Sequence, residues 1–185
     1  IRDKKTDRPT TYLDERMLSS TSLAISQLEK ETALLADTAM DAFRMGYRSF
    51  EERNRSLIPE TQKLIRDAGN ISRAIINYLI KLSAQSKLAV ERDISNLHSN
   101  VGDIMRIAEI ADNFTKYTER TMRDNLEFSD HVKVEIAAMV KRVEALYALT
   151  KRIILEHDTS LLPEIDRTEN DIDAFRKQLI DSHIA

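Results

Sequence analysis

Ser56-Leu57-Ile58-Pro59-Glu60 returns 104 residues later as Ser160-Leu161-Leu162-Pro163-Glu164. Each copy has the composition of a helix start: a serine and a short turn, two apolar residues, a proline and an acid. Proline suits a first helical turn because its missing N–H has no partner to lose there, and the glutamate complements the positive end of the helix dipole. The same offset pairs Leu28 with Val132, Ala36 with Val140 and Phe43 with Tyr147 upstream. Downstream it pairs Ala68 with Ile172, Ile71 with Phe175, Ile75 with Leu179 and Ile76 with Ile180. The spacing predicts one helical unit used twice, over residues 21–124 and 125–185, the second copy incomplete and residues 1–20 a loosely attached lead-in.

Three glycines and three prolines in 185 residues leave the chain few places to reverse, which argues against hairpin-rich β folds and for long helices. With 28 basic and 31 acidic residues the net charge is -3, too mild and too mixed for nucleic-acid binding to be the main purpose. The lack of cysteine removes disulfides, thiolate metal sites and a cysteine nucleophile. No apolar run approaches the roughly 18 residues of a membrane span. The chain opens on Ile1 without a signal peptide, which reads as a piece of something larger. Arg2, Lys4, Lys5 and Arg8 then read either as a solvated start or as the cytoplasmic flank of a preceding span.

Apolar steps of three and four predict five helices. The first runs from about Ser22 to a stop at Gly46, with Ile25, Leu28, Thr32, Leu35, Ala39 and Ala42 on one face. The second begins near Pro59 with Leu64, Ala68, Ile71, Ile75, Tyr78 and Leu82. The third covers Ser86 to Asp124 with Ile94, Leu97, Val101, Ile104, Ala108 and Ala111. The fourth covers Ser129 to His157 with Ile136, Met139, Val143, Leu146, Thr150 and Ile153. The fifth starts at Pro163 with Ile165, Thr168, Ile172, Phe175 and Leu179. Short connections make neighbours antiparallel, so the expected fold is all-α: long antiparallel helices in tandem three-helix bundles, the second lacking its third helix. That gap should leave apolar surface on helix 5, such as Ile180, for a missing segment or a partner chain, a homodimer included.

Three segments carry a resemblance to a known family. They are Tyr12-Leu13-Asp14-Glu15-Arg16-Met17-Leu18 with Ser20-Thr21, the helix Gly102-Asp103-Ile104-Met105-Arg106-Ile107-Ala108-Glu109-Ile110-Ala111-Asp112-Asn113, and Glu169-Asn170-Asp171-Ile172-Asp173. Together they resemble the PhoU-like fold, and within it the cytoplasmic C-terminal domain of the sodium/phosphate cotransporter family. The first segment is similar to the lead-in that those transporters place after their last membrane helix. The resemblance implies paired three-helix bundles, a role in regulating phosphate uptake without catalysis, and in some members iron or zinc clusters on the acid motifs. The partners it implies are the chain's own transmembrane transporter domain or phosphate-signalling proteins. The alternatives are a free-standing phosphate-signalling adaptor and an oxygen-ligated metal-binding helical protein.

The residues themselves bear on metal binding. Glu109 and Asn113 lie four apart and project together, and with Asp103 and Arg106 they span a polar arc of about 120° opposite the apolar stripe. Glu169 and Asp173 are likewise four apart, beside Arg176. The candidate ligands are therefore Asp103, Glu109, Asn113, Glu169 and Asp173, an oxygen-rich set suited to magnesium, calcium, manganese or iron. From the residues alone, the reading to prefer for the same acids is as solvated surface or as partners of Arg106 and Arg176. In the first repeat the positions of Glu169 and Asp173 are held by Ile65 and Gly69, so that copy lacks the acid pair. His98, His131, His157 and His183 share no ligand spacing and read as surface or cap histidines, and no glycine-rich loop is present to cradle phosphate.

Overall fold

In the computed structural model, which describes residues 11–85 and 88–183, each copy of the repeated stretch opens with a 3-10 turn, Arg55–Leu57 and Thr159–Leu161. Asn54 Oδ1 accepts from the Ser56 N–H at 3.0 Å, and Asp158 Oδ1 accepts from the Ser160 N–H at 3.2 Å. Both serine hydroxyls donate to the same oxygens. One residue earlier the backbone turns through a left-handed residue, Arg53 at φ 51° and His157 at φ 57°, again 104 residues apart. The echo in the sequence is an echo of turn chemistry, with a short polar side chain closing the turn on its own backbone.

The main helices are α1 (Thr21–Glu51), α2 (Ile58–Gln85), α3 (Glu91–Arg123), α4 (Asp130–Glu156) and α5 (Leu162–His183). Further 3-10 turns precede α1 at Glu15–Ser19 and α3 at Leu88–Val90. The described residues contain no strand, and no helix among them is long and apolar enough to cross a membrane. The predicted stripes lie on the buried faces, with Leu28, Leu35 and Ala39 on α1, Ala68, Ile71 and Ile75 on α2, Val101, Ile104 and Ala111 on α3, Ile136, Val143 and Leu146 on α4 and Ile165 and Ile172 on α5 buried, and Ile25, Leu64, Ile94, Thr168 and Phe175 half-buried. Ile180, expected to be exposed, and the basic cluster Arg2 to Arg8 lie outside the described residues and side chains.

Gly46 does not stop the first helix. α1 continues to Glu51, and Gly46 sits inside it against α3, where an added Cβ would lie 2.9 Å from the Ala111 carbonyl oxygen and 3.3 Å from Thr61 Cγ2. Glycine is used here for its missing side chain, which lets two helix backbones approach. The stop comes at Arg53, whose N–H bonds the Phe50 carbonyl.

α1 is the central helix, touching α2, α3 and α4, while α4 and α5 form a hairpin. Its burial follows from this, since Ala36, Met40 and Phe43 are sealed as completely as the predicted stripe. Phe114 of α3 is an aromatic hub, with ring centroids 5.5 Å from Tyr47 and Phe50 and 5.8 Å from Phe43. Phe50 in turn meets Phe128 at 5.3 Å, which carries the aromatic cluster to the start of α4. Polar ties complete the α1–α4 seam: Arg44 pairs with Glu144 at 2.9 Å, and Asp37 accepts from Tyr147 at 2.5 Å and Lys151 at 2.8 Å. The two predicted halves thus share one apolar core that runs through all five helices.

Candidate functional site

The acid motifs of α3 and α5 meet along one side of the molecule. Arg106 on α3 reaches Asp173 on α5 at 2.6 Å, and Arg176 on α5 reaches back to Glu109 at 3.7 Å. Arg142 of α4 closes the far edge, lying 3.6 Å from Asp171 and stacking over the Phe175 ring at 4.4 Å. Two of the five candidate ligands, Glu109 and Asp173, are therefore held by guanidinium groups. The polar face of α3 read from spacing reaches α5 through Arg106 and Glu109, a contact that the sequence did not place. The sequence left open the choice between cation and arginine, and that choice depends on what the neighbouring helix presents.

Asp103 and Glu169 form the centre of the seam. Burial, followed by a hydrogen bond and charge repulsion from Asp103, pushes the Glu169 carboxyl up to about 8. Its Oε1 is buried without a hydrogen-bond partner. Two ionised carboxylates cannot bond each other, so the contact requires a shared proton, and protonation gives the pair the donor it lacks. Near neutral pH the pair then holds a proton and the seam carries one negative charge fewer than its composition suggests.

A metal cluster asks more of this set than the fold supplies. Among the described residues, no three His, Asp or Glu side chains converge so as to hold an ion. Asp103 meets Glu169, while Asp173 and Glu109 are each paired with an arginine, so these four acids do not converge as one cluster.

A second polar constellation lies near the start of α1, and spacing alone did not reveal it. The lead-in is no loose linker from Thr11 onward. Glu31, only 2 % exposed, accepts from the Tyr12 N–H at 2.7 Å and from the Thr11 hydroxyl at 3.2 Å. Gln27 Oε1 accepts from the Asp14 N–H at 3.1 Å, and the Tyr78 hydroxyl of α2 donates to the Asp14 carbonyl at 2.9 Å. Burial first, then the charges of Asp14 and Glu15, raises the Tyr78 pKa, so this hydroxyl stays a donor. Lys81 pairs with Glu15, Asp14 caps the following turn through the Arg16 N–H, and Leu18 inserts into the core. A signal was present in the sequence: Glu31 is a carboxylate set among Leu28, Thr32 and Leu35, where an unpaired charge would be costly.

A cavity of about 410 Å³ opens between the end of α1, the α3–α4 connection and the first turns of α4. Phe50, Phe128 and Ile136 wall it, and Lys133 stands at its edge. Arg53 closes one side by donating to the Leu126 carbonyl at 2.8 Å. His131 and His157 face Glu135 and Glu29 at 3.2 and 3.4 Å, consistent with surface and cap roles. No protein-family model, curated protein or solved structure matches this chain.

Proposed function

We propose that this chain is a regulatory, protein-interaction domain on the cytoplasmic side of a sodium-dependent phosphate transporter, with no catalysis of its own. The observation that carries the reading is the seating of Tyr12–Leu18, the segment whose sequence resembles the lead-in of those transporters. It is fixed through its backbone N–H and C=O groups to Glu31, Gln27 and Tyr78. While it is seated, the segment passes displacement on to α1 and α2, which a flexible linker would absorb. Regulation then follows from linkage: a helical body that docks differently on two transporter conformations shifts their populations by that difference in affinity and no more. The pairing of Asp173 with Arg106 and of Glu109 with Arg176 supports a binding body, since those two carboxylates are engaged by guanidinium groups.

Sodium-driven phosphate uptake by the complete protein, with residues 11–183 present or deleted, tests the reading. The expected result is a changed dependence of uptake on sodium or phosphate. Identical uptake and identical sodium dependence in both forms would overturn it. A complete reading frame that lacks hydrophobic spans would favour the free-standing adaptor instead.

A further inference from the structure

The groups that hold the lead-in read its main chain. Glu31 Oε2 takes the Tyr12 N–H, Gln27 Oε1 takes the Asp14 N–H, and the Tyr78 hydroxyl gives its proton to the Asp14 carbonyl. Side chains that satisfy alternate backbone groups of an extended segment are how a receptor gains affinity for a peptide without dictating its sequence. Selectivity comes from between those anchors, here from Glu15 against Lys81 and from Leu18, which is 8 % exposed. Glu31 ties most strongly to the occupant. Both of its oxygens accept from it, one from Thr11 and one from Tyr12, and these bonds pass to water when the segment leaves, so that seating and release are close in energy.

The occupant itself is held lightly. Tyr12 is 49 % exposed, and Leu18 is the single fully buried residue between Thr11 and Ser20. Its only regular structure is one 3-10 turn, Glu15–Ser19. The helices beneath are sealed by a contiguous apolar core. A segment fixed by polar contacts, the buried Leu18 and the half-buried Leu13 opens more often than such helices unfold.

We propose that Glu31, Gln27 and Tyr78 form a receptor for an extended peptide segment, occupied by the chain's own Thr11–Ser19, so that the lead-in is a detachable clasp and not a permanent part of the bundle. This concerns the clasp alone and holds whether or not a transporter is attached to it. A partner able to displace the clasp would present an extended stretch with two alternate free N–H groups, an acid for Lys81 and a leucine five residues after the last anchored carbonyl's neighbour on its N-terminal side.

Amide hydrogen exchange on the full chain reads the clasp directly, with Tyr12→Pro as the key variant. It deletes the N–H that Glu31 accepts and leaves the groove untouched. In the wild type the Asp14 amide should exchange at least about a hundredfold faster than those of Leu35 and Ile75, yet more slowly than an unprotected amide. Tyr12→Pro should speed Asp14 exchange by about tenfold or more while Leu35 and Ile75 keep their rates. Glu31→Gln, which retains the side-chain shape, should act in the same direction. A synthetic peptide of the Thr10–Ser20 sequence should bind the Tyr12→Pro chain at least about tenfold more tightly than the wild type, whose groove is filled. Asp14 exchanging at the rate of Leu35, or the peptide binding both chains equally or neither, would overturn the proposal. So would a wild-type dimer in sedimentation whose Asp14 protection grows with concentration, since the occupant would then come from a second copy.

Discussion

Gly46 and Thr150 occupy equivalent places in the 104-residue echo, and each is buried for a different reason. At Gly46 a methyl group would meet the Ala111 carbonyl oxygen at 2.9 Å, and a backbone atom inside α3 cannot step aside. Gly46→Ala should therefore lower stability in urea unfolding by about 1–3 kcal/mol, even though alanine favours the helix by about 1 kcal/mol. An unchanged or higher stability would mean that α1 and α3 are not in contact there. Thr150 is fully buried with a hydroxyl that has no partner. Thr150→Val keeps the shape and removes the unsatisfied group, so it should raise stability by about 1 kcal/mol, measured in the same way. The role of Gly46 was not legible in the sequence. Glycine ends helices and also lets helices touch, and only the identity of the neighbour across the interface separates the two uses.

At the scale of elements, the helix starts and buried stripes were legible because they are local: proline, an Asx-capped turn and a period near four are properties of one segment. The seam between α3 and α5 was half legible. Spacing placed Asp103, Glu109 and Asn113 on one face and Glu169 with Asp173 on another, but the pairing of Arg106 with Asp173 and of Arg176 with Glu109 is settled between helices. The Glu169 carboxyl titrates near 8 in the folded chain against an ordinary 4.5, so the folded state holds the extra proton between those values. Stability should accordingly fall as pH rises from about 4.5 to about 8, and Glu169→Gln should remove that decline in melting temperature. A wild-type profile that rises across this window would contradict the shared proton. Protein purified without chelator should carry no stoichiometric iron, zinc or manganese, and EDTA should leave its melting temperature unchanged. Stoichiometric metal by elemental analysis would show that the seam rearranges around an ion.

For the whole molecule, the sequence predicted two helical units packed through their apolar stripes and a loosely attached start. The fold runs one apolar core through all five helices and fastens the start, from Thr11 onward, to α1 and α2. Neither feature follows from periodicity. A shared core depends on α4 packing on α1 through Phe50 and Phe128, and a 3-10 turn of five residues is too short to show a repeat. The clasp depends on its partner Glu31, 19 residues beyond Tyr12 in the chain and brought beneath it by the fold.

The central claim is that the lead-in and the α4–α5 hairpin belong to one body, with the clasp closed in most molecules. The absence of cysteine permits a direct test by paired spin labels at Tyr12→Cys and Val134→Cys, both exposed positions on the two parts in question. Pulsed electron resonance should return a single narrow distance distribution, which broadens when Glu31→Gln is added. A broad or bimodal distribution in the labelled chain with Glu31 intact would contradict the account.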